Sequence, residues 1–496
     1  MRMHWHNRKG TVLPWVIILA SLAGALACIN KKHPTESGSS TSSVPTISNI
    51  NGATSPSSAV GQPIEINGSN FQASSATVQF TQGSIVASAT PISAEANDSS
   101  LVVTVPAGDS SSQFSVPGTV MVTVESNGMT SGAITLSVDA APTFDISSTT
   151  WATTTPLPIA LTGLRAVAVP GASNSAYVVV TGGSNGSLDT ALVYSNSLYT
   201  NGTVGSSWTT ISANQLPRPI AHHGMVEADD SNSPVPAGSS YIYIIGGQAV
   251  LGGGPGGTST VFMASVDTSN GTVGTWAQLS SSLPQTLVGP AVALFHGWIY
   301  VVGGLLSDGS PSNAGYSAQV KSNGTLGAWT TSSNPHPLGI SFATSFGYGG
   351  TLYVLNGDPN SSTDPNAVGS VSDSNSVYYA RVISGGVGSW TESPDGTLAA
   401  RKKHDTWNAF GQVMNAEGIY AGSTEFEWSV FSAAGSLGDW TALTNPPHAN
   451  VYNAAALLSP LLTPSGTPRL LLLGGETIAA GGEGPLSNQV YYNNAP

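Results

Sequence analysis

One short phrase returns five times in the second part of the chain and always ends in tryptophan. It reads Asn-Gly-Thr-Val-Gly-Ser-Ser-Trp at 201–208, and further copies lie at 270–276, 323–329, 385–390 and 435–440. Trp151 lies about one period upstream of the first copy. A recurring phrase with a period of this size indicates a repeat architecture, in which each repeat is one supersecondary unit that packs on its neighbours.

Each repeat between 151 and 496 has the same internal order of apolar segments and turns. An apolar strand that closes on glycine recurs at Tyr177–Gly183, Tyr241–Gly247, Trp298–Gly304, Leu352–Gly357, Ile419–Gly422 and Leu470–Gly475. It is followed by an aromatic-bearing strand and then by the tryptophan strand. Four strands in each of six repeats predict the four-stranded sheets of a six-bladed β-propeller.

The two ends of the repeat region complement each other. The last repeat has its glycine pair, Gly474-Gly475, but ends before any tryptophan, whereas Trp151 has no glycine pair before it. We therefore expect a strand within 146–153 to pair with the C-terminal strand and to complete the last sheet. This pairing would remove an open sheet edge, which is otherwise a site of aggregation.

The glycine pair after an apolar strand, the later aromatic residue and the terminal tryptophan resemble kelch repeats of the galactose-oxidase-like type. The resemblance implies a kelch-type propeller over 140–496. It stops at the fold, because the copper radical oxidases of that group need a cysteine bonded to a tyrosine, and the only cysteine here is Cys28. We expect no cofactor.

A different pattern of short alternating segments precedes the repeats. Pro63–Gly68 alternates apolar and polar residues, as a half-buried strand does. About seven such strands in about 95 residues favour a β-sandwich. The residues Pro45, Ile47, Ile50, Gly61, Ile64, Ile66, Gly68 and Phe71 resemble the opening of IPT/TIG domains, which are immunoglobulin-like. The resemblance implies an all-β module at 44–139 that serves as a spacer or an interaction domain.

The N-terminus resembles a bacterial lipoprotein leader. A basic start is followed by an apolar run from Val12 to Ala27, and Cys28 comes directly after it. We expect a signal peptide at 1–27, lipidation of Cys28 and a flexible, Ser-rich tether at 28–43. The protein would then lie at the outer membrane or cell surface. The alternative is an ordinary signal peptide and a secreted or periplasmic protein.

Charge is scarce and unevenly placed. Only 8% of the residues are charged and the net charge is −13, which excludes a nucleic-acid partner because phosphate would be repelled. Cationic and imidazole side chains gather in the segments between repeats, where we expect one loop-rich face to bind an anionic or polyhydroxyl ligand. The candidate ligand-binding residues are Arg218, His222, His223, His336, Arg401, Lys402, Lys403, His404 and His448. The alternative is that they are solvated loop residues or packing histidines.

These features favour a non-enzymatic surface protein that binds a glycan or an extracellular protein. One alternative is a carbohydrate-active enzyme of the sugar-acid epimerase or lyase type, with Glu425, Glu427, Glu476 and Glu483 as carboxylates placed by location alone. Another is a structural envelope protein. We expect no metal site, since the adjacent His222 and His223 would point in opposite directions from a strand.

Overall fold

The computed structural model describes residues 43–92, 98–140, 145–171, 176–248, 256–360, 373–409, 411–416, 418–420, 426–431, 436–443, 451–452, 455–459, 469–479 and 482–494. These residues belong to one compact unit, Ser43–Pro496. The expected signal peptide, Cys28, all but the last residue of the tether, and His448 lie outside the described residues. The described part is all-β, and its helical segments, Ile146–Ser148 and Ser212–Asn214, are short 3-10 turns.

Strands are numbered in chain order. Residues 46–139 contain β1 (Thr46–Ile50), β2 (Ser57–Ala59), β3 (Pro63–Ser69), β4 (Thr77–Gln82), β5 (Ile85–Ala89), β6 (Ser100–Thr104), β7 (Gly118–Ser126), β8 (Met129–Thr130) and β9 (Ile134–Asp139). They form a sheet in the order β1-β3-β6 and a second sheet in the order β2-β9-β7-β4-β5, with β8 beside β7. Phe71, Phe80 and the inward-facing aliphatic residues of both sheets fill one core. We call this part the sandwich.

The remaining strands form six four-stranded antiparallel sheets, named A to F. Sheet A contains β11 (Arg165–Pro170), β12 (Ala176–Thr181), β13 (Val193–Leu198) and β14 (Thr209–Thr210). Sheet B contains β15 (Gly224–Asp229), β16 (Ser240–Ile245), β17 (Val261–Val266) and β18 (Ala277–Gln278). Sheets C and D contain β19 (Ala291–Phe295), β20 (Trp298–Val302), β21 (Gly315–Gln319), β22 (Thr330–Thr331), and β23 (Thr344–Tyr348), β24 (Thr351–Leu355), β25 (Val377–Ile383), β26 (Gly386–Glu392).

Sheets E and F complete the set, together with two small accessory sheets. Sheet E contains β28 (Asp405–Ala409), β29 (Gln412–Ala416), β31 (Phe426–Val430) and β32 (Thr441–Ala442). Sheet F has the order β10-β38-β35-β34, from β10 (Thr150–Thr153), β38 (Val490–Asn494), β35 (Arg469–Leu473) and β34 (Ala455–Ser459). The accessory pairings are β27 (Arg401–Lys402) with β30 (Ile419–Tyr420), and β33 (Val451–Tyr452) with β36 (Glu476–Ala479) and β37 (Gly482–Leu486).

The six sheets contact one another in a cycle. The first strand of each sheet contacts the first strand of the next, from β11 through β15, β19, β23, β28 and β34, and β34 contacts β11. Apolar cores lie between neighbouring sheets, such as B with C and D with E. This cycle of six four-stranded sheets is compatible with a six-bladed β-propeller, and we call sheets A to F the ring.

The expected pairing of the two ends of the ring is present in sheet F. Strand β10 is antiparallel to β38, with Thr150 opposite Asn494 and Thr153 opposite Tyr491. Trp151 also contacts Phe426 of sheet E, with ring centroids 5.7 Å apart. The start and the end of the repeat region thus share one sheet.

The recurring tryptophans connect neighbouring sheets. The indole Nε1 of Trp276 in sheet B donates to the carbonyl oxygen of Asn214, 3.1 Å away, just after the last strand of sheet A. Three other copies do the same at 3.0–3.2 Å, as Trp208 to Thr155, Trp329 to Ser281 and Trp390 to Asn334. The tryptophan of the phrase therefore provides a recurring hydrogen bond between neighbouring sheets as well as an apolar contact.

The glycine of the same phrase packs on an aromatic ring of the preceding sheet. Gly271 has a φ of +72°, and a Cβ atom there would lie 2.3 Å from the ring of Tyr177. The same contact joins Gly324 to Tyr241 and Gly385 to Trp298. Glycine is needed here for both the left-handed backbone and the close approach.

The fifth repeat differs from the prediction. The second strand of sheet E is β29, Gln412–Ala416, and not the predicted Ile419–Gly422. Ile419–Tyr420 pairs instead with Arg401–Lys402. Gly418, with a φ of +86°, takes the position of the second glycine, because a Cβ there would meet the backbone of Lys402 and His404. Because the glycine signal of this repeat is weak, the second strand was predicted too far towards the C-terminus.

The sandwich contacts the ring at the loops that join first and second strands. The amide of Ser55 donates to the carbonyl oxygen of Asp230 at 2.9 Å, and the hydroxyl of Thr54 donates to that of Val235 at 2.8 Å. The carboxylate of Glu65 is only 4% exposed. It contacts the imidazole of His296, accepts from the Ser100 hydroxyl at 2.6 Å and lies 3.8 Å from Arg381 Nη2. We call this region the joint.

Acid should weaken the joint through Glu65. Burial opposes ionisation, but the charge and hydrogen bond of His296, with Ser100 and Arg381, lower the pKa of Glu65 to about 2. Because the folded pKa lies below the unfolded value, the stabilisation is present above about pH 4.5 and is lost as the pH falls towards 2. Through this group, the parent should lose about 3 kcal/mol of its unfolding free energy between pH 6 and pH 2. Glu65→Gln should not show this part of the loss. Urea unfolding at both pH values measures this.

Glu125→Gln is the matched control for that experiment, because Glu125 accepts a hydrogen bond from Gln79 within the sandwich. An acid sensitivity that is the same in Glu65→Gln and in the parent would contradict the assignment.

Candidate functional site

A chain of backbone hydrogen bonds runs around the axis of the ring, two residues before each first strand. Its members have left-handed φ values of 52–63°. The amide of each donates to the carbonyl oxygen of the preceding one at 2.7–3.0 Å, and the described members are Gly163, His222, Gly289, Phe342 and Lys403. We call this chain the collar. It ties five consecutive segments between sheets to one another.

A cavity of about 150 Å³ lies on the axis next to the collar. It is lined by the beginnings of the first strands of sheets A to E, namely Arg165, Ala166, Gly224, Met225, Pro290, Val292, Ala343, Thr344, Ser345, Asp405 and Thr406. We call it the axial cavity. Strand β15 begins at the cavity with Gly224 and ends next to Asp230 in the joint. Six strand residues span about 20 Å, so the cavity and the sandwich lie at opposite ends of the ring.

Sheets A, D and E supply the polar side chains of the axial cavity. Arg165 Nη1 lies 3.9 Å from Asp405 Oδ1, and these side chains are 17% and 15% exposed. The Thr344 and Thr406 hydroxyls are 2.6 Å apart. The buried Ser345 Oγ has no hydrogen-bond partner among the described residues. The arrangement places a cation, an anion and three hydroxyls among the residues that line the cavity.

A buried hydrogen-bond network holds these hydroxyls in place. Thr344 Oγ1 lies 3.1 Å from His404 Nε2, and Thr406 Oγ1 donates to Asn415 Oδ1 at 3.1 Å. Asn415 Nδ2 in turn donates to Glu427 Oε1 at 2.9 Å. Both threonine hydroxyls have partners in this network, and such side-chain networks restrict side-chain orientation. The polar wall of the cavity is therefore preorganised by sheets D and E.

Two histidines next to Arg165 are kept neutral. Burial lowers the pKa of His223 well below its usual value, and the charge of Arg165 lowers it further. Burial, Arg401 and Arg165 act in the same direction on the pKa of His404. Both imidazoles are therefore uncharged at neutral pH, and the positive charge at the cavity belongs to Arg165.

Most of the predicted ligand-binding residues are buried rather than presented on solvated loops. His222, His223, His336, Lys402, Lys403 and His404 are 1–3% exposed, and Arg401 is fully buried. The burial of these seven residues favours the alternative of packing residues over an accessible cationic face. Sequence position placed them in the correct segments, but each side chain points into the packed ring.

The buried cations have specific partners. Arg401 Nη2 lies 2.9 Å from Glu427 Oε1, and Lys402 Nζ lies 2.5 Å from Asp358 Oδ2 and 3.5 Å from Asp373 Oδ1. Lys403, a collar residue, lies 5.2 Å from the centre of the Phe342 ring. Burial is compatible with charge only when such partners are present.

The other predicted residues also pack within the ring. His222 meets Phe342 edge-on, with ring centroids 5.4 Å apart. His336 lies between Tyr378 and Trp390, and burial lowers its pKa to about 4. Arg218 Nη2 donates to Thr260 Oγ1 at 2.6 Å in sheet B. His448 is the ninth candidate, outside the described range.

Sequence reasoning missed the residues that line the axial cavity. Neither Arg165 nor Thr344, Ser345, Asp405 and Thr406 is among the candidates that the sequence offers. One signal was available: sheet C begins its first strand with Ala291-Val292, whereas sheets D and E begin theirs with polar residues. Polar residues in an apolar strand position indicate a polar axis in that half of the ring.

The described residues contain no group of three or more His, Cys, Asp or Glu placed to hold a metal ion. Within the same ranges, no helix has the length and apolar character needed to cross a membrane.

Comparison with known proteins identifies the sandwich. A family model of the IPT/TIG domain matches residues 45–138, which confirms the resemblance seen over 44–139. The protein is thus an all-β chain with an immunoglobulin-like IPT/TIG domain and a set of six four-stranded sheets. IPT/TIG domains are found in cell-surface and adhesion-type proteins. No curated protein matches the chain.

Proposed function

We propose that this protein is a surface-anchored binding protein whose kelch-type propeller recognises a glycan or an extracellular protein. Lipidation of Cys28 and the tether at 28–43 would hold it at the outer membrane or cell surface. The IPT/TIG domain would link this anchor to the ring. The collar end of the ring, with the axial cavity and the loops around it, would carry the recognition site.

The observation that supports this proposal best is the placement of the two ends of the ring. The IPT/TIG domain contacts loops of sheets B, C and D at one end, whereas the polar axial cavity lies at the other. The IPT/TIG domain therefore leaves the cavity end of the ring free of sandwich contacts among the described residues. Ligand sites in closed β-structures are often built where loops and strand ends from several repeats converge.

Binding should depend on Arg165. We expect the full chain to bind members of a panel of acidic and neutral glycans and extracellular proteins, and Arg165→Met to weaken that binding about 10- to 100-fold. This corresponds to the loss of hydrogen bonds to a charged group, worth about 1.5–3 kcal/mol. Surface plasmon resonance on each partner found would measure the change.

Lys321→Met is the matched control, because it removes one positive charge from an exposed turn of sheet C. The proposal fails if the full chain binds no member of the panel, or if Arg165→Met and Lys321→Met bind equally well.

A further inference from the structure

The geometry of the axial cavity points to a class of ligand, and it shows that Asp405 would compete with this ligand for Arg165. We propose that the cavity binds a small hydroxy-carboxylate, whose carboxylate pairs with Arg165 in place of Asp405. This inference rests on the proposed function, since it assigns the ligand chemistry of the same site.

Arg165 has unused hydrogen-bonding capacity. Its contacts with described residues are the carbonyl oxygen of Leu164 at 3.4 Å and Asp405 at 3.9 Å. Charge-assisted hydrogen bonds between guanidinium and carboxylate measure about 2.7–2.9 Å, and a guanidinium has five N–H donors in a planar fork. Arg165 is therefore held at the cavity by long contacts that a ligand carboxylate could replace with two short ones.

A protein hydroxyl near Arg165 would bind the hydroxyl group of the ligand. Ser345 is one of the lining residues, and its buried Oγ has no partner among the described residues. An unsatisfied buried hydroxyl costs about 1–3 kcal/mol, which a ligand hydroxyl that reaches Oγ would remove. A ligand hydroxyl can both donate to Ser345 Oγ and accept from it. Thr344 and Thr406 are occupied with each other at 2.6 Å, so Ser345 is the hydroxyl available to the ligand.

The volume limits the size of the ligand. About 150 Å³ is below the 300–1,000 Å³ that drug-sized ligands occupy. The cavity suits a molecule of a few carbons, or the acidic end unit of a longer one, rather than the interior of a polymer.

Asp405 sets the affinity for such an anion. Its carboxylate lines the cavity 3.9 Å from Arg165 Nη1, so a ligand carboxylate that pairs with Arg165 would lie near this second negative charge and be repelled by it. Asp405 also offsets the charge of Arg165 while the cavity is empty. Loss of the Asp405 charge should therefore tighten the binding of an acid but leave a neutral polyol unaffected.

Isothermal titration calorimetry on the full chain tests this with two matched pairs of probes, glycerate with glycerol and gluconate with sorbitol. In the parent protein, at least one acid should bind about tenfold or more tightly than its own polyol, as expected for one charge-assisted pair. Asp405→Asn should tighten that acid about tenfold further. Arg165→Met should abolish the preference for the acid.

Ser345→Ala provides a variant that should fold normally, because Ser345 Oγ bonds no described residue, and it should weaken the acid several-fold. Equal binding of each acid and its polyol overturns the inference, as does weaker acid binding in a folded Asp405→Asn. Arg165-dependent binding of a panel glycan or protein without any preference for these acids would overturn this inference alone. Acid binding with no panel partner would instead overturn the proposed function.

Discussion

Replacing Arg401 by methionine should lower the free energy of unfolding by about 3–5 kcal/mol, the cost of breaking a buried ion pair by removing one partner. Arg401 and Glu427 are both fully buried, with Nη2 and Oε1 2.9 Å apart. Burial raises the pKa of Glu427, and Arg401 opposes that rise. Without Arg401, Glu427 would be a buried acid that has lost its cationic partner and keeps a hydrogen bond from Asn415.

Urea unfolding, followed by tryptophan fluorescence, measures this loss. The matched control is the double variant Arg401→Met/Glu427→Leu, which removes both charges and should recover much of the stability. The pairing has no structural weight if Arg401→Met unfolds at the urea concentration of the parent. Additive effects would also contradict the pairing: the double variant would then be less stable than Arg401→Met by the full cost of Glu427→Leu alone.

Replacing residues 145–153 by a Gly/Ser segment of equal length should open the ring. It removes the four residues that pair with β38 and the indole that contacts Phe426. We expect a loss that reaches or exceeds the about 3–5 kcal/mol measured for truncating a buried tryptophan. The exposed edge of β38 should also make the variant associate, because unpaired edges template further strand pairing.

Thermal unfolding and size-exclusion chromatography report the two effects separately. Trp151→Phe is the control, because it keeps the strand and an aromatic ring while it shortens the side chain. A Gly/Ser variant that remains monomeric and melts at the temperature of the parent would show that the ring does not depend on the shared sheet.

The sequence predicted the ring well because its signals are local and repeated. The tryptophan phrase, the glycine pairs and the single Trp151 upstream each report on one strand or turn, and the repeated copies reinforce one another. Sheet F, with β10 beside β38, follows from them. The fifth repeat went wrong where its copies of the signal were weakest, at Gly418.

The site could not be predicted with the same success, because burial depends on contacts distant in sequence. Lys402 and Asp358 are 44 residues apart, and nothing in the run Arg401–His404 shows that its side chains turn inward. A cluster of cations in a loop segment usually indicates a solvated surface. The collar explains the difference: its left-handed residues draw each inter-sheet segment towards the axis, so that the neighbouring side chains become internal.

The position of the IPT/TIG domain has a mechanical consequence. It is fastened to hairpins of sheets B, C and D, so that half of the circle is braced by a second folded body. Sheets E, F and A, which include the seam where the first and last strands meet, lack these particular fastenings. Thermal fluctuations should therefore be uneven. Sheets E, F and A, which include the seam, should move more than sheets B, C and D, which the IPT/TIG domain holds.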